Sequence, residues 1–245
     1  MTVCKHIMPA VIETQELTKQ YGDLTAVDHV SIAIGEGELF GLLGPNGSGK
    51  TTTIKMLTGQ LQPTSGTAMV AGIDPVRHPL QVKQAVGIIP EQETPPSFLT
   101  AEEYLQFVAA IRDIDDASER IDTWFIHLDF EGQRDVLCKD LSRGTRQKLM
   151  FAQAFLHEPA IAFVDEPLIN LDPVIQRTVK DYMLRHVEKG GTIFLCTHVL
   201  EIAEEICTRI CIIHHGFILR DLSVQEATAN GQRLEKVFLD AVSGV

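Results

Sequence analysis

What most narrows the fold of this 245-residue chain is the run Leu39-Phe-Gly-Leu-Leu43, followed at once by Gly44-Pro45-Asn46-Gly47-Ser48-Gly49-Lys50-Thr51-Thr52. A short apolar run reads as a buried strand, and the residues from Thr51 to Leu61 read as a helix. The eight residues from Gly44 to Thr51 fit the pattern G-x-x-x-x-G-K-[ST] between a strand and a helix, the setting a phosphate-binding loop requires. Its glycines let backbone N–H groups wrap an anion at the start of the helix. Lys50 is long enough to reach β- and γ-phosphate oxygens, and the Thr51 hydroxyl is a hard ligand suited to Mg²⁺. Gly44 to Thr52 are therefore candidate nucleotide-binding residues.

A second strand ends in acid. Ile161-Ala-Phe-Val-Asp165-Glu166 is apolar up to two adjacent carboxylates. Beside a phosphate loop, Asp165 is placed to hold the Mg²⁺ hydration shell with Thr51, and Glu166 to polarise an attacking water as general base. A second anion-binding candidate is Leu141-Ser-Arg-Gly-Thr145, where Ser142 can cap a helix and Gly144 leaves the backbone open. Residues such as His198 and Tyr21 carry no role by themselves. One reads as a surface or capping histidine and the other as a half-buried strand aromatic.

Strand-like runs at Val11–Leu17, Val30–Ile34, Thr67–Ala71, Ala85–Ile89, Thr192–Cys196 and a hairpin over Ile210–Leu222 alternate with helical stretches. These are Thr145–His157, one opened by Asp172-Pro173 and closed by Gly190-Gly191, and Val199–Thr208. Strands separated by helices imply a mostly parallel sheet with ligands at the strands' carboxyl ends. Between the strand-rich halves, Thr100-Ala-Glu-Glu103 is a capping box opening a helix with Tyr104, Leu105, Val108 and Ile111 on one face. A second helix follows at Ser118–Leu128. The predicted organisation is an α/β core with an antiparallel β subdomain near its N-terminus, over residues 1–91 and 141–245. It carries an all-helical insertion at 92–140, with the anion-binding loop at 141–145 beside it.

A net charge of −12 argues against nucleic-acid binding, which depends on cationic patches. Cys4, Cys138, Cys196, Cys207 and Cys211 are scattered in apolar surroundings and read as reduced, buried thiols of a cytosolic protein. His214–His215 precede Gly216 and read as a hairpin turn instead of a metal site. No secretory signal is evident, and no run approaches the ~18 apolar residues of a membrane span. At a membrane, a partner would have to supply the spanning segments.

The order of phosphate loop, helical block, Leu-Ser-x-Gly, hydrophobic-Asp-Glu-Pro, Leu-Asp and Thr-His resembles that of ATP-binding cassette (ABC) ATPases across about Val11 to Leu222. Leu17 to Asp28 (Leu-Thr-Lys-Gln-Tyr-Gly-Asp-Leu-Thr-Ala-Val-Asp) is also similar to transporter ATPase subunits. The resemblance implies a P-loop NTPase fold that binds ATP and Mg²⁺. It implies stacking of Tyr21 on adenine, and Lys50 and Thr51 on phosphates and Mg²⁺. Asp165 and Glu166 become the Walker-B aspartate and the catalytic base, and His198 the switch histidine sensing the γ-phosphate. Ser142 and Gly144 would form a signature loop that touches ATP held by a second ATPase subunit, and Asp172 a D-loop across that dimer. A transmembrane permease subunit would dock at the Q-loop and the helical block, holding the chain on the cytoplasmic face of the membrane. The alternative within the resemblance is a soluble ABC ATPase in cofactor assembly or another non-transport role.

Three motifs depart from the family pattern. Arg143 and Thr145 replace the first glycine and the glutamine of Leu-Ser-Gly-Gly-Gln, and Ile169-Asn-Leu-Asp172 stands where Ser/Ala-Gly-Leu-Asp is usual. After Ile88-Ile-Pro90, Glu91 occupies the Q-loop glutamine's place with Gln92 next. Glu91 is expected to take that role as a catalytic-site group and metal ligand. Glu91 and Leu-Ser-Arg-Gly together resemble ABC-2-type exporter subunits.

Overall fold

The structure is a computed structural model and describes residues 10–92 and 95–244. The chain opens with strands β1 (Ala10–Tyr21), β2 (Leu24–Val30) and β3 (Ala33–Gly35), then β4 (Leu39–Leu43), helix α1 (Lys50–Leu57) and β5 (Ser65–Val70). Next come α2 (Pro79–Ala85), β6 (Val86–Ile89), α3 (Ala101–Ile111), α4 (Ala117–His127), α5 (Arg143–Phe155) and β7 (Ile161–Asp165). The C-terminal part adds α6 (Pro173–Glu188), β8 (Thr192–Thr197), α7 (Leu200–Ile206), β9 (Arg209–His214), β10 (Phe217–Ser223), α8 (Val224–Ala227) and α9 (Leu234–Val242).

Two sheets result. β1 pairs antiparallel with β2, β3 and β5. The larger sheet runs β10-β9-β4-β8-β7-β6 and is parallel throughout except for the edge strand β10. This is the predicted α/β class: a mostly parallel core sheet, an antiparallel sheet near the N-terminus and helices between β6 and α5.

Both faces of the parallel sheet are buried, and the period of two along each strand divides its side chains between two cores. Leu39, Leu43, Ala162, Val164, Ile193 and Leu195 face the helices. Phe40, Leu42, Ile161, Phe163, Phe194 and Cys196 face α1 and the antiparallel sheet. There Phe194 packs against Phe40 and Phe163 at ring-centroid distances of 5.2 and 5.5 Å. The register aligns Leu43 with Thr197, Asp165 with Cys196 and Ile89 with Val164. The carboxyl ends of four neighbouring strands thereby meet at one edge, where the loops carrying Lys50, Glu91, Glu166 and His198 begin.

The helices α3 and α4 pack on α5, with Trp124 against Phe151 at 5.8 Å. Arg112 at the end of α3 joins them to the core. Its guanidinium donates to Gln84 O at 2.7 Å and Val86 O at 3.3 Å, and lies 2.9 Å from His157 Nε2. Burial, with the Arg112 charge adding to it, pushes the His157 imidazole down to about 4.

Several elements differ from the sequence reading. Val30–Ile34 is not one strand: Thr14 Oγ1 donates to Val30 O and accepts from Ile32 N, turning the chain between β2 and β3. The β1–β2 hairpin around Gly22 went unread because its strands are half exposed and lack a clear alternation. α1 stops at Leu57, where the Thr58 hydroxyl takes Ile54 O and Gly59 turns left-handed. Helices α2, α8 and α9 were also missed; the first two are only 7 and 4 residues long. Ile111 is 57 % exposed, so the buried stripe of α3 is Ala101, Leu105, Val108 and Ala109. The capping box at Thr100 and Glu103 forms as expected, as does the His215-Gly216 turn. Cys138, Cys196, Cys207 and Cys211 are buried and free, while Cys4 lies outside the described residues.

Candidate functional site

The loop after β4 is shaped by its glycines, two of which leave no room for a Cβ. Gly47 and Gly49 have φ of 80° and 109°, and a Cβ on Gly49 would lie 2.5 Å from Ala26 O on β2. A Cβ on Gly44 would collide with Ile213 O and Ser48 Oγ. Gly216 N donates to Ser48 O at 3.0 Å, so the β9–β10 turn braces the loop from behind. Lys50 Nζ donates to Gly44 O at 2.7 Å and Pro45 O at 3.1 Å. An ammonium has three protons, which leaves one for an anion in front of the loop.

At the next strand ends the oxygens converge. Thr51 Oγ1 lies 2.7 Å from Asp165 Oδ2 and 3.3 Å from Glu91 Oε2. Burial pushes the Asp165 carboxyl up to about 6; the Thr51 hydrogen bond opposes this, and the charges of Glu91 and Glu166 reinforce it. Asp165 Oδ1 and Ser48 Oγ are both buried without a hydrogen-bond partner. Orphaned buried oxygens of this kind call for a ligand, since an unmade hydrogen bond costs ~1–3 kcal/mol. No group of three or more His, Cys, Asp or Glu side chains among the described residues could hold a metal. Thr51, Asp165 and Glu91 converge as hard oxygen donors, a set that fits a Mg²⁺ ion shared with phosphate oxygens and water, the usual habit of that ion.

Glu166 sits behind this pair with φ of 51°. Its carboxylate accepts from Thr197 Oγ1 at 2.9 Å and from His198 N at 2.9 Å, and His198 Nδ1 lies 2.5 Å from Oε1. Ionised, it has about four lone-pair sites, so capacity for a water remains. Thr197 was missed as a site residue, although the Thr-His pair that contains it was noted.

Most of these groups open on one cavity of about 410 Å³, in which Tyr21, 49 % exposed, stands at the rim with Leu24 and Ala26, whereas Gly44, Pro45, Thr197 and His198 do not line it. Asn46 to Thr52, Glu91, Asp165 and Glu166 complete its lining. Gln92 does not line it and borders an adjoining cavity on the α1 side.

Three predicted residues lie elsewhere. Ser142 caps α5, its Oγ accepting from Thr145 N at 3.1 Å, and Arg143 begins the helix. A Cβ on Gly144 would lie 2.7 Å from Asn170 O, so in this chain the glycine is required by its own Glu166–Asp172 segment. Asp172 caps α6 through Val174 N and Ile175 N, and chiefly the Ile175 amide holds its carboxyl below the ordinary range. Neither α5's start nor Asp172 reaches the cavity. Asn170 takes a left-handed conformation, with φ of 66°, which asparagine tolerates better than most residues.

The sequence profile of the family described as ABC transporter matches residues 27–169. The chain is 37 % identical over 241 residues to the probable multidrug ABC transporter ATP-binding protein YbhF of Escherichia coli, covering 95 % of this chain and 42 % of that one. It thus spans less than half the length of that relative. It is 34 % identical over 222 residues to the bacitracin transport ATP-binding protein BcrA of Enterococcus faecalis, covering 90 % of this chain and 71 % of that one. A solved structure described as an ATP-binding subunit of an ABC transporter superposes with a TM-score of 0.89 at 27 % identity, covering 95 % of this chain and 99 % of that one.

Proposed function

This chain belongs to the ABC transporter family of ATP-binding proteins, and on that premise we propose that it is the ATP-hydrolysing subunit of an exporter, working as a pair around two ATP molecules. Residues 1–91 and 141–245 form the ATP-binding core, and 92–140 the helical subdomain beside the signature loop at 141–145. The observation that carries the reading is the division of the anion-binding groups. One set lines the cavity at Lys50, and the capped start of α5 stands outside it. Two chains related by a two-fold axis bring each α5 start to the other's cavity, so one patch is used twice.

In each cavity the backbone N–H groups of Asn46 to Thr52 and the Lys50 ammonium hold the triphosphate, and Tyr21 lies against the adenine face. Thr51, Asp165 and Glu91 hold Mg²⁺, which when bound neutralises charge on the transferring phosphate. Glu166 takes the proton of the attacking water, with His198 and Thr197 fixing its carboxylate. Contacts from Ser142 and Gly144 exist only in the paired state, so ATP shifts the equilibrium towards it and hydrolysis releases it. A permease subunit supplies the pathway and holds this chain at the cytoplasmic face; no helix among the described residues is itself long and apolar enough to cross a membrane.

Affinity capture of the tagged chain from detergent-solubilised membranes tests the transport reading. A polytopic membrane protein retained with it supports transport, and a wholly soluble complex overturns it in favour of an assembly ATPase. The Q-loop assignment has its own test. Glu91→Ala is expected to lower ATP turnover about tenfold or more, by removing one carboxylate from the oxygen cluster. Gln92→Ala should stay within about twofold of the wild type. The reverse pattern in steady-state assays would move the role to Gln92.

A further inference from the structure

The start of α5 and the proposed base are tied together within one chain by a side chain that the motif pattern leaves unassigned. Gln147, on the second turn of α5, is 2 % exposed, and its Nε2 donates to Pro167 O at 3.0 Å. Pro167 directly follows Glu166, whose left-handed φ of 51° costs a non-glycine residue ~1–2 kcal/mol. A backbone in that state persists only where its surroundings over-determine it. On the N-terminal side Glu166 N is held by Cys196 O at 3.0 Å, and the carboxylate is held by Thr197 and His198. On the C-terminal side Ile169 N donates to Glu166 O at 3.4 Å, and Gln147 holds the next carbonyl along, that of Pro167.

The rest of the segment is gripped in the same way. Gln176 Nε2 on α6 donates to Leu168 O at 3.1 Å and Leu171 O at 3.2 Å. Gly144, three residues before Gln147, abuts Asn170 O so closely that no Cβ fits. α5 therefore meets the Glu166–Asp172 segment at two places, Gly144 on Asn170 and Gln147 on Pro167.

We infer that Gln147 is a positioning residue for Glu166. Its amide anchors the peptide that follows the base, so the aim of the Glu166 carboxylate depends on where α5 sits. The start of the same helix presents Ser142 to the partner's nucleotide. A shift of α5 on engaging that nucleotide reaches the base of its own chain through one buried hydrogen bond. This inference rests on the proposed role of Glu166 as base.

The test is steady-state ATP hydrolysis by the full chain with Mg²⁺, using Gln147→Met, which keeps the volume and loses the donor, and Gln147→Glu, which keeps the shape. Displacing a base by about an ångström costs up to ~100-fold, so Gln147→Met is expected to lower kcat about tenfold or more with KM for ATP within about threefold. In the Glu166→Gln background the same change should lower residual turnover less than twofold, because the group being aimed is already gone. The carboxyl introduced by Gln147→Glu donates only while protonated. Its kcat relative to wild type is expected to fall between about pH 6 and about pH 9, while the Gln147→Met ratio stays flat. Should Gln147→Met fail to fold, the Gln147→Glu profile alone decides. An unchanged kcat, a loss confined to KM, an equal loss in the Glu166→Gln background or a flat Gln147→Glu ratio overturns the inference. A wild-type chain without turnover overturns the functional reading with it. Wild-type turnover alongside unchanged variants overturns this inference alone.

Discussion

Glu166→Gln is expected to lower ATP turnover at least about 100-fold while a stable ATP-bound dimer accumulates, because a positioned general base is worth ~10²–10⁴ in rate. The substitution keeps the volume and leaves the phosphate loop untouched. The amide oxygen can still accept from His198 N, which now meets Glu166 Oε1 at 2.9 Å. Thr197 Oγ1, now a donor to Oε2 at 2.9 Å, already accepts from Val199 N and can turn to accept from the amide as well. Binding geometry therefore survives and the proton acceptor does not. Light scattering after gel filtration with ATP reads the dimer, and a coupled assay reads turnover. Turnover within about threefold of wild type would mean that water is activated elsewhere. Failure to dimerise on ATP would sink the paired mechanism.

Gly49→Ala is expected to be the most damaging small change in the phosphate loop. At φ of 109° an alanine is strained whatever the space, and here its Cβ would sit 2.5 Å from Ala26 O. That carbonyl cannot simply withdraw, since β2 is paired along β1 and Asp28 N is tied to Gly216 O. Strain and overpacking together should cost about 2–4 kcal/mol, a fall in Tm of roughly 5–15 °C for a chain of this size. ATP affinity should drop more than about tenfold, since the displaced amides are the ones that face phosphate. Gly47→Ala is the control. Its φ of 80° carries strain but nothing lies within 4 Å of the added Cβ, so a loss of about 1–2 kcal/mol is expected. Thermal denaturation and equilibrium nucleotide binding distinguish the two. Equal behaviour of the two variants would mean that the contact with β2 does not hold the loop.

The class of fold was legible because its signals are local. Buried strands such as Leu39–Leu43 and Ile161–Asp165 announce themselves by continuous apolarity. The helix starts at Thr100, Ser142 and Asp172 announce themselves by their caps. What went unread lacked such signals. The β1–β2 hairpin is half exposed, α2 and α8 are short, and the stripe of α3 turned away from Ile111 once α4 and α5 covered its other side.

Within the site, the amino-acid order by itself determined which chemistries were present: a glycine loop with Lys50 and Thr51, a strand ending in Asp165-Glu166, and a capped helix at Ser142. Only the tertiary structure decided who meets whom. The parallel register brings Thr51 to Asp165 across 114 residues and Thr197 to Glu166 across 31, and burial leaves Asp165 Oδ1 and Ser48 Oγ without partners. It also revealed that Gly144 is needed against Asn170 of its own chain, and that Gln147 reaches Pro167. Motif spacing reports local backbone geometry, whereas these contacts arise from how separate strands and helices are packed, which no short window of sequence contains.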